Sequence, residues 1–493
     1  MQKGILVILD GYGEGKVGEF NAVENANTPT LKALKKQPHS LLKTHGDSVG
    51  LFESEMGGSE VGHITIGAGR VVNSTAKQIR DDIKTNEFAK NKLLIKALEN
   101  LKKNNSNLHL FGLMSDKNIH SDINHCVEIM NLAQNKAKHI YIHFVTEGRD
   151  CGAFDSLKYL EYLQNKIKNI KNCSILSVSG RFYAMDRENH AERTNEAFNA
   201  CFTQNKTITD IKKYIEEQHK DGKNDQFVEP VSVKSKTYNG VNKNDYVIFF
   251  NFREDRLRQI VKKCEELKCN LVTMSDVGGV NAKSMYPNKI VKNTLSEYLS
   301  ENGLSHIKIG ESTKYAHVTY FLNGGREEPF EKEDRVHVPS YNVTDFATTP
   351  QMKAKEITKE VENAIKKDYD VIIVNYSNAD MVGHTGNYES TVKSLEVLDE
   401  CVKKVIKLAS KNDYFVMITA DHGNAEEMKT EKGEPQLAHT INPVFCVVAN
   451  SGLNMKADGG LKDVAPTFIE LIGLKPSKHF EGESLIVHDE NNN

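Results

Sequence analysis

The feature that most constrains this chain is the division of its carboxylate and imidazole residues between its two ends. Near the N-terminus the apolar run Ile5 to Leu9 delivers Asp10 into Gly11, the pattern of a buried strand that ends in a ligand-bearing loop. Near the C-terminus come Asp380-x-x-x-His384, then Asp421-His422 behind the apolar run Phe415 to Thr419, then His439. The segment Gly57-Gly58-Ser59-Glu60-Val61-Gly62-His63 adds a serine presented by glycines. Carboxylates, imidazoles and one exposed hydroxyl are the parts of a metal-assisted phosphoryl-transfer site. If both sets of ligands serve the same ions, the two ends fold together and the middle of the chain is an inserted domain.

Length supports that division, because 493 residues exceed what one ordinary hydrophobic core accommodates. The net charge of −3 gives no global field for nucleic acid, so an anion site must be a local cluster. No apolar stretch is long enough to span a bilayer. Ile5 to Leu9 is also too short for a secretory signal and ends in Asp10 without a small-residue cleavage site. The eight cysteines are scattered with no C-x-x-C pair, which fits reduced thiols in the cytoplasm better than a disulfide framework or zinc ribbon.

Short β-branched runs alternate with longer amphipathic segments. Strands are expected at 4–9, 108–113, 139–145, 174–178, 246–250, 370–374, 414–419 and 443–448, and helices at 352–367 and 391–410. Asn27-Thr28-Pro29 reads as a cap and first-turn proline opening a helix. Residues 221–244 are polar and turn-rich and read as a surface excursion inside a domain. The alternation predicts an α/β architecture with mainly parallel sheets.

Taken singly, each candidate has a bland alternative. An aspartate after a strand is more often a turn residue. Asp380 and His384 share a helical face and suit either one ion or solvent. Ser59 among glycines also reads as a turn or N-cap. It is their co-occurrence that favours a metal-activated serine nucleophile. The middle of the chain carries a second set, in which Arg149-Asp150, Arg181 with Arg187, and Arg253 with Arg256 each follow an apolar strand. Surface salt bridging explains any one of these arginines. Three arginine-bearing loops after three strands suggest one anion-binding mouth. His120 is a candidate acid/base or phosphate contact, and Lys314 lies near the return to the metal-binding part.

These motifs, in this order, closely resemble the cofactor-independent phosphoglycerate mutases of the alkaline phosphatase superfamily. The matching stretches are LDGYG, GGSEVGHITIGAGR, the SD…HS…NH segment, EGRD, SGRFYAMDR, NFREDRLRQ, KYAHVTYFLNGG, NADMVGHTG, ADHGNAE and AHTINPV, from Asp10 to Glu481-Gly482. The resemblance implies a two-domain α/β protein. Its alkaline phosphatase-like metal domain would comprise residues 1–75 and 291–493, and an inserted α/β substrate-binding domain residues 76–290. It further implies two Mn²⁺ per chain, with Zn²⁺ or Co²⁺ as substitutes. One ion would be held by Asp380, His384 and His439, the other by Asp10, Ser59, Asp421 and His422. Ser59 would be the phosphorylated nucleophile, and His120, Arg149, Asp150, Arg181, Arg187, Arg253, Arg256 and Lys314 the substrate contacts. Three departures stand out: Gly58 in place of an asparagine, Lys117-Asn118 in place of a glycine pair, and Glu254 in place of a proline.

The expected reaction is interconversion of 2-phosphoglycerate and 3-phosphoglycerate through a phosphoserine, without 2,3-bisphosphoglycerate, in a monomeric cytoplasmic enzyme that engages neither nucleic acid nor membrane. A metal-dependent phosphatase or phosphopentomutase on the same core is the nearest rival, and the arginine-rich middle argues against it. A non-catalytic phospho-metabolite binder would need a damaged ligand set, and this one is complete.

Overall fold

The computed structural model describes residues 1–430 and 432–488. The chain divides into two compact units, Met1–Ser74 with Lys289–Asn493 and the intervening Thr75–Asn288. Each is built on its own eight-stranded sheet.

In the discontinuous unit the strand order is Glu333–Val338, His306–Glu311, Val371–Tyr376, Lys3–Leu9, Tyr414–Thr419, Val444–Val448, His39–Lys43 and Asp458–Gly460. The first five run parallel, while Val444–Val448 is antiparallel to both its neighbours. Ile5 to Leu9 lie at the centre and are wholly buried, which is why this segment reads as a continuous apolar run rather than an alternation. Truncating one of them, as in Leu6→Ala, is expected to cost about 2–5 kcal/mol.

Helices cover the sheet with their apolar faces. Tyr388–Lys411 opens on Asn387, whose side chain accepts from the Ser390 amide, and buries Leu395, Leu398, Val402, Val405 and Ala409 along one stripe. Pro29 starts a helix as expected, but Thr28 makes no side-chain cap. The cap is supplied from elsewhere: buried Asp399, on the long helix, accepts from the Thr30 and Leu31 amides at 3.2 and 2.7 Å. A carboxylate at a helix N-terminus satisfies its free amides and meets its positive end.

The continuous unit orders its strands Lys283–Tyr286, Asn270–Ser275, Tyr246–Phe249, Leu108–Leu113, Ile140–Thr146, Cys173–Gly180, Val231–Val233 and Thr207–Ile208. Of its neighbouring pairs, only Cys173–Gly180 with Val231–Val233 is antiparallel. That last strand corrects the reading of residues 221–244 as a surface excursion. Val231 is buried in the sheet, and Asp225 is fully buried, accepting from the Ser156 amide and from Ser156 Oγ. Most of the rest of the segment is at least partly exposed, in keeping with its polar composition.

The α/β class and the predominance of parallel pairing agree with the sequence. The eight cysteines are free thiols. Among the described residues no helix is long and apolar enough to cross a membrane.

Candidate functional site

Four adjacent parallel strands of the discontinuous unit release their chains at the same edge. Lys314 follows His306–Glu311, Asp380 lies in the short helix Asn378–Gly383 behind Val371–Tyr376, Asp10 follows Lys3–Leu9, and Asp421 follows Tyr414–Thr419. Parallel pairing therefore gathers residues from both ends of the chain at one place. The turn after Asp10 needs Gly11, at φ 76°, because a Cβ there would sit 2.6 Å from the Asp380 Cα. That close approach lets the Asp380 amide donate to the Asp10 carbonyl at 3.0 Å.

Asp380, His384 and His439 form one candidate metal-binding group, and Asp10, Asp421 and His422 another. In the first, His384 Nδ1 donates to the Leu437 carbonyl and His439 Nδ1 to the Gly57 carbonyl, both at 2.8 Å. With each Nδ1 so engaged, both Nε2 atoms are turned toward Asp380. They lie 3.0 Å apart, with Asp380 Oδ1 at 3.1 and 3.3 Å. Three basic atoms converging on one point fit a divalent cation.

In the second group His422 Nε2 lies 2.9 Å from Ser59 Oγ and 3.5 Å from both Asp10 Oδ1 and Asp421 Oδ2. Asp421 Oδ2 is buried without a hydrogen-bond donor, the environment of an oxygen that ligates an ion. Oxygen and imidazole donors together suit manganese, zinc or cobalt.

Charge balance leads to the same fit. Three buried carboxylates face one ammonium, Lys314, whose Nζ is 2.7 Å from Asp10 Oδ1 and 2.6 Å from Asp380 Oδ2. Burial pushes the Asp10 and Asp380 carboxyls upward, but Lys314 and the neighbouring histidines outweigh it and hold both well below the usual carboxylate range. Burial likewise opposes the charge on Lys314, while Asp10, Asp380 and Asp421 raise it further above its ordinary value. The Asp10 and Asp380 carboxylates are thus ionised. Burial opposes charge on His422, but Asp421, Asp10 and Asp380 outweigh it and raise that imidazole to about 9, so a divalent cation would take over the charge-balancing role of the imidazole proton.

Ser59 is the first residue of the helix Ser59–Ala68 and is nearly buried. Its Oγ accepts from Lys314 Nζ at 2.5 Å and donates to Asp10 Oδ1 at 3.2 Å. The hydroxyl thus stands at the positive end of a ten-residue helix, where an anion is favoured. The adjoining cavity, of about 480 Å³, is lined by Ser59, Lys314, His317, Asp380, His384 and His439 among others.

Sequence reasoning missed the residues that hold this set. Asn375 Nδ2 donates to Asp10 Oδ2 at 2.8 Å and lies 3.0 Å from His63 Nε2, while His63 Nδ1 donates to the Ser59 carbonyl at 2.8 Å. Asn424 Nδ2 donates to Asp380 Oδ1 at 3.2 Å. Glu426 is a buried acceptor for the Asn424 amide, Thr440 Oγ1 and Asn442 Nδ2, joining the loop of Asp421-His422 to that of His439. Only His63 carried a signal, its i+4 spacing from Ser59 on one helical face.

In the continuous unit, adjacent parallel strands again deliver their loops to one edge. His120 follows Leu108–Leu113, Arg149-Asp150 follows Ile140–Thr146, Arg181 follows Cys173–Gly180, and Arg253 and Arg256 follow Tyr246–Phe249. Arg149, Arg181, Arg187 and Arg256 line one cavity. Burial, then Arg181, Arg187 and Arg149, lower the pKa of Arg256, and its Nε is buried without an acceptor. Arg181 Nη2 donates to His120 Nε2 at 3.0 Å. Burial, then Arg181 and Arg253, push the His120 imidazole down to about 4. Arg253 is turned outward and pairs with Asp255 at 3.0 Å, outside the set lining the cavity.

The three departures have local explanations. Asn118 adopts φ 56°, the left-handed region that glycine favours and asparagine tolerates. Glu254 opens a single 3₁₀ turn, Glu254–Arg256, at the position a proline also suits. Gly58 is extended, at φ −167°, and a Cβ there would make ordinary contact with the His439 ring.

Residues 2–476 match the family model of the Metalloenzyme superfamily. The 2,3-bisphosphoglycerate-independent phosphoglycerate mutase of Ehrlichia ruminantium (strain Welgevonden) is 41% identical, the alignment covering 98% of each chain. That of Clostridium botulinum (strain ATCC 19397 / Type A) is 40% identical over 98% of this chain and 99% of its own. Among solved structures, Leishmania mexicana phosphoglycerate mutase, crystallised at low cobalt concentration, matches 99% of this chain and 98% of its own with a TM-score of 0.66 and 29% identity.

Proposed function

This chain belongs to the Metalloenzyme superfamily and, within it, to the 2,3-bisphosphoglycerate-independent phosphoglycerate mutases, and from that premise we propose how its residues carry out the reaction. The activity is interconversion of 2-phosphoglycerate and 3-phosphoglycerate without a bisphosphoglycerate primer. The finer reading is a phosphoserine route, with two Mn²⁺ held by the two ligand groups and Zn²⁺ or Co²⁺ as substitutes.

The observation that carries this reading is the setting of Ser59 Oγ, within hydrogen-bond reach of Lys314, Asp10 and His422 at a helix N-terminus. Asp10 Oδ1 accepts the hydrogen bond of the hydroxyl and orients it, and the Lys314 ammonium stabilises the oxyanion that remains when the proton is lost to solvent. The Ser59 oxygen attacks phosphorus as the bond to the glycerate oxygen breaks, and that oxygen takes up a proton on leaving. The other glycerate hydroxyl then loses its proton and attacks the phosphoserine, which restores the serine. Divalent ions, when bound, favour the serine alkoxide and neutralise charge on the phosphoryl oxygens.

The arginines of the continuous unit supply the glycerate site in this reading. Planar guanidinium groups match a carboxylate in pairs, and four of them share one cavity. His120 and Asp150, beside Arg181, are the groups there able to exchange protons with a glycerate hydroxyl. Acid quenching after incubation with 3-phosphoglycerate, followed by peptide mass analysis, tests the nucleophile. Phosphate is expected on Ser59 and none in Ser59→Ala; phosphate on a different residue would overturn the assignment.

A further inference from the structure

Glu147 is a buried carboxylate immediately ahead of Gly148-Arg149-Asp150, at the end of the strand Ile140–Thr146. Its two oxygens divide their work. Oε2 accepts from three successive backbone amides, those of Arg149, Asp150 and Cys151, at 2.9, 2.7 and 2.9 Å. Oε1 accepts from Arg181 Nη1. The same Nη1 donates to Asp150 Oδ2 at 2.6 Å, and Arg181 Nη2 donates to His120 Nε2 at 3.0 Å.

A carboxylate that accepts three backbone amides folds the loop around itself and fixes the direction in which Arg149 and Asp150 leave it. Its remaining oxygen holds a guanidinium that is itself nearly fully buried. Removing that negative charge would leave Arg181 with only the partly exposed Asp150 as its anion. It would also release the contact that makes His120 Nε2 an acceptor and so places the ring proton on Nδ1, which is buried and without a partner. Glu147 thus holds the loop of Arg149 and Asp150 by its backbone and Arg181 by its side chain, and reaches His120 only through Arg181.

We propose that Glu147 is the positioning residue of the glycerate site: it presets Arg149, Asp150 and Arg181, and through Arg181 the tautomer of His120, before substrate arrives. The inference rests on the proposed glycerate-binding role of that cluster. Glu147 need not touch the substrate, and its contribution is preorganisation.

Glu147→Gln keeps the volume but turns one acceptor into a donor, which must face either the three amides or Arg181. The metal-loaded full-length protein is assayed with 3-phosphoglycerate, alongside Glu147→Asp, which keeps the charge on a shorter arm. The expected KM order is wild type, then Asp, then Gln, with Gln raised about tenfold or more, the scale of one lost charge-assisted contact. In the Arg181→Lys background the same Glu147→Gln change should have far less effect, since the two act as one unit. Thermal unfolding and metal content of the variants serve as controls for a merely structural loss. A Glu147→Gln KM within twofold of wild type, or Gln and Asp chains that behave alike, would overturn the proposal. If the Gln chain does not fold, the Asp chain decides by the same twofold criterion. An inactive wild-type chain would instead refute the mutase reading, so the two failures are distinguishable.

Discussion

The Lys314 ammonium lies 2.5 Å from Ser59 Oγ and bridges Asp10 and Asp380, so one cation touches the serine and a carboxylate from each candidate metal group. A buried lysine in that position has two opposed effects. It neutralises charge that forms on the serine oxygen, and it competes with metal ions for the same carboxylates.

These effects separate in Lys314→Met. Loss of the ammonium removes a preorganised donor to the serine oxygen, which is expected to lower kcat by about 10²–10³-fold. It also leaves the carboxylates more negative, so divalent ions should bind at least as tightly as in the wild type. Turnover and equilibrium dialysis with Mn²⁺ check the two halves. Weakened metal binding in a folded Lys314→Met chain would contradict this account.

Glu426 is expected to govern metal affinity from outside the ligand set. Its carboxylate accepts from Thr440 Oγ1, Asn442 Nδ2 and the Asn424 amide, so both of its oxygens are engaged as acceptors. In Glu426→Gln the new NH₂ group must face one of them, and the loops bearing His422 and His439 lose their common anchor. Mn²⁺ affinity should fall about 10–100-fold, the range seen when outer partners of metal ligands are lost. Calorimetric titration of the purified variant reads this directly, and unchanged affinity would contradict it.

How much of this was legible depends on whether a residue signals its role by its own neighbours. The strand ahead of Asp10 was readable because a central parallel strand is apolar on both faces, and Asp380 and His384 because i,i+4 spacing sets them on one face. Glu147, Asn375 and Glu426 gave no such signal. Each looks like any polar residue at a strand end or in a loop, and its function lies in donors brought to it by the fold. For Asn375 the partner Asp10 is 365 residues away. The misplaced cap at Thr28 has the same origin, because the buried Asp399 that accepts from the Thr30 and Leu31 amides lies far off in sequence.

The continuous unit should lose stability in acid through its buried histidines. His109 Nδ1 and His143 Nε2 share a hydrogen bond of 3.0 Å across adjacent strands, and His143 Nδ1 meets Ser177 Oγ at 2.8 Å. Burial, then His139, push His109 down to about 3; burial, then His109, push His143 well below its ordinary value. Both rings are neutral when folded, whereas in the unfolded chain they titrate near 6.5. The unfolded state therefore binds more protons below that pH. Their stabilisation is complete above pH 6.5 and falls by about 1.4 kcal/mol per pH unit for each ring as pH drops toward the folded values. Urea midpoints of metal-free protein between pH 7.5 and 5 check this by comparison with His109→Asn, a difference in which the metal-ligand histidines cancel. The variant should show the shallower dependence; equal slopes would contradict the assignment.

The last prediction concerns the fate of the glycerate while the phosphate resides on Ser59. Mutases that must be primed by a bisphosphorylated glycerate can return the phosphate to a different skeleton. In the proposed route the incoming monophosphate itself loads the serine, and the glycerate is assigned to the cavity lined by Arg149, Arg181, Arg187 and Arg256. Held there, the same skeleton is expected to reorient and take its phosphate back. Activity should appear with no added 2,3-bisphosphoglycerate. In a mixture of ¹³C-labelled 3-phosphoglycerate carrying ¹⁸O in its phosphate with unlabelled substrate, the two labels should remain together in the 2-phosphoglycerate formed. Mass analysis of that product is the measurement. Scrambling of ¹⁸O onto the unlabelled skeletons at early turnover would show that glycerate leaves before the second transfer, and the retention assigned to the arginine cluster would be wrong.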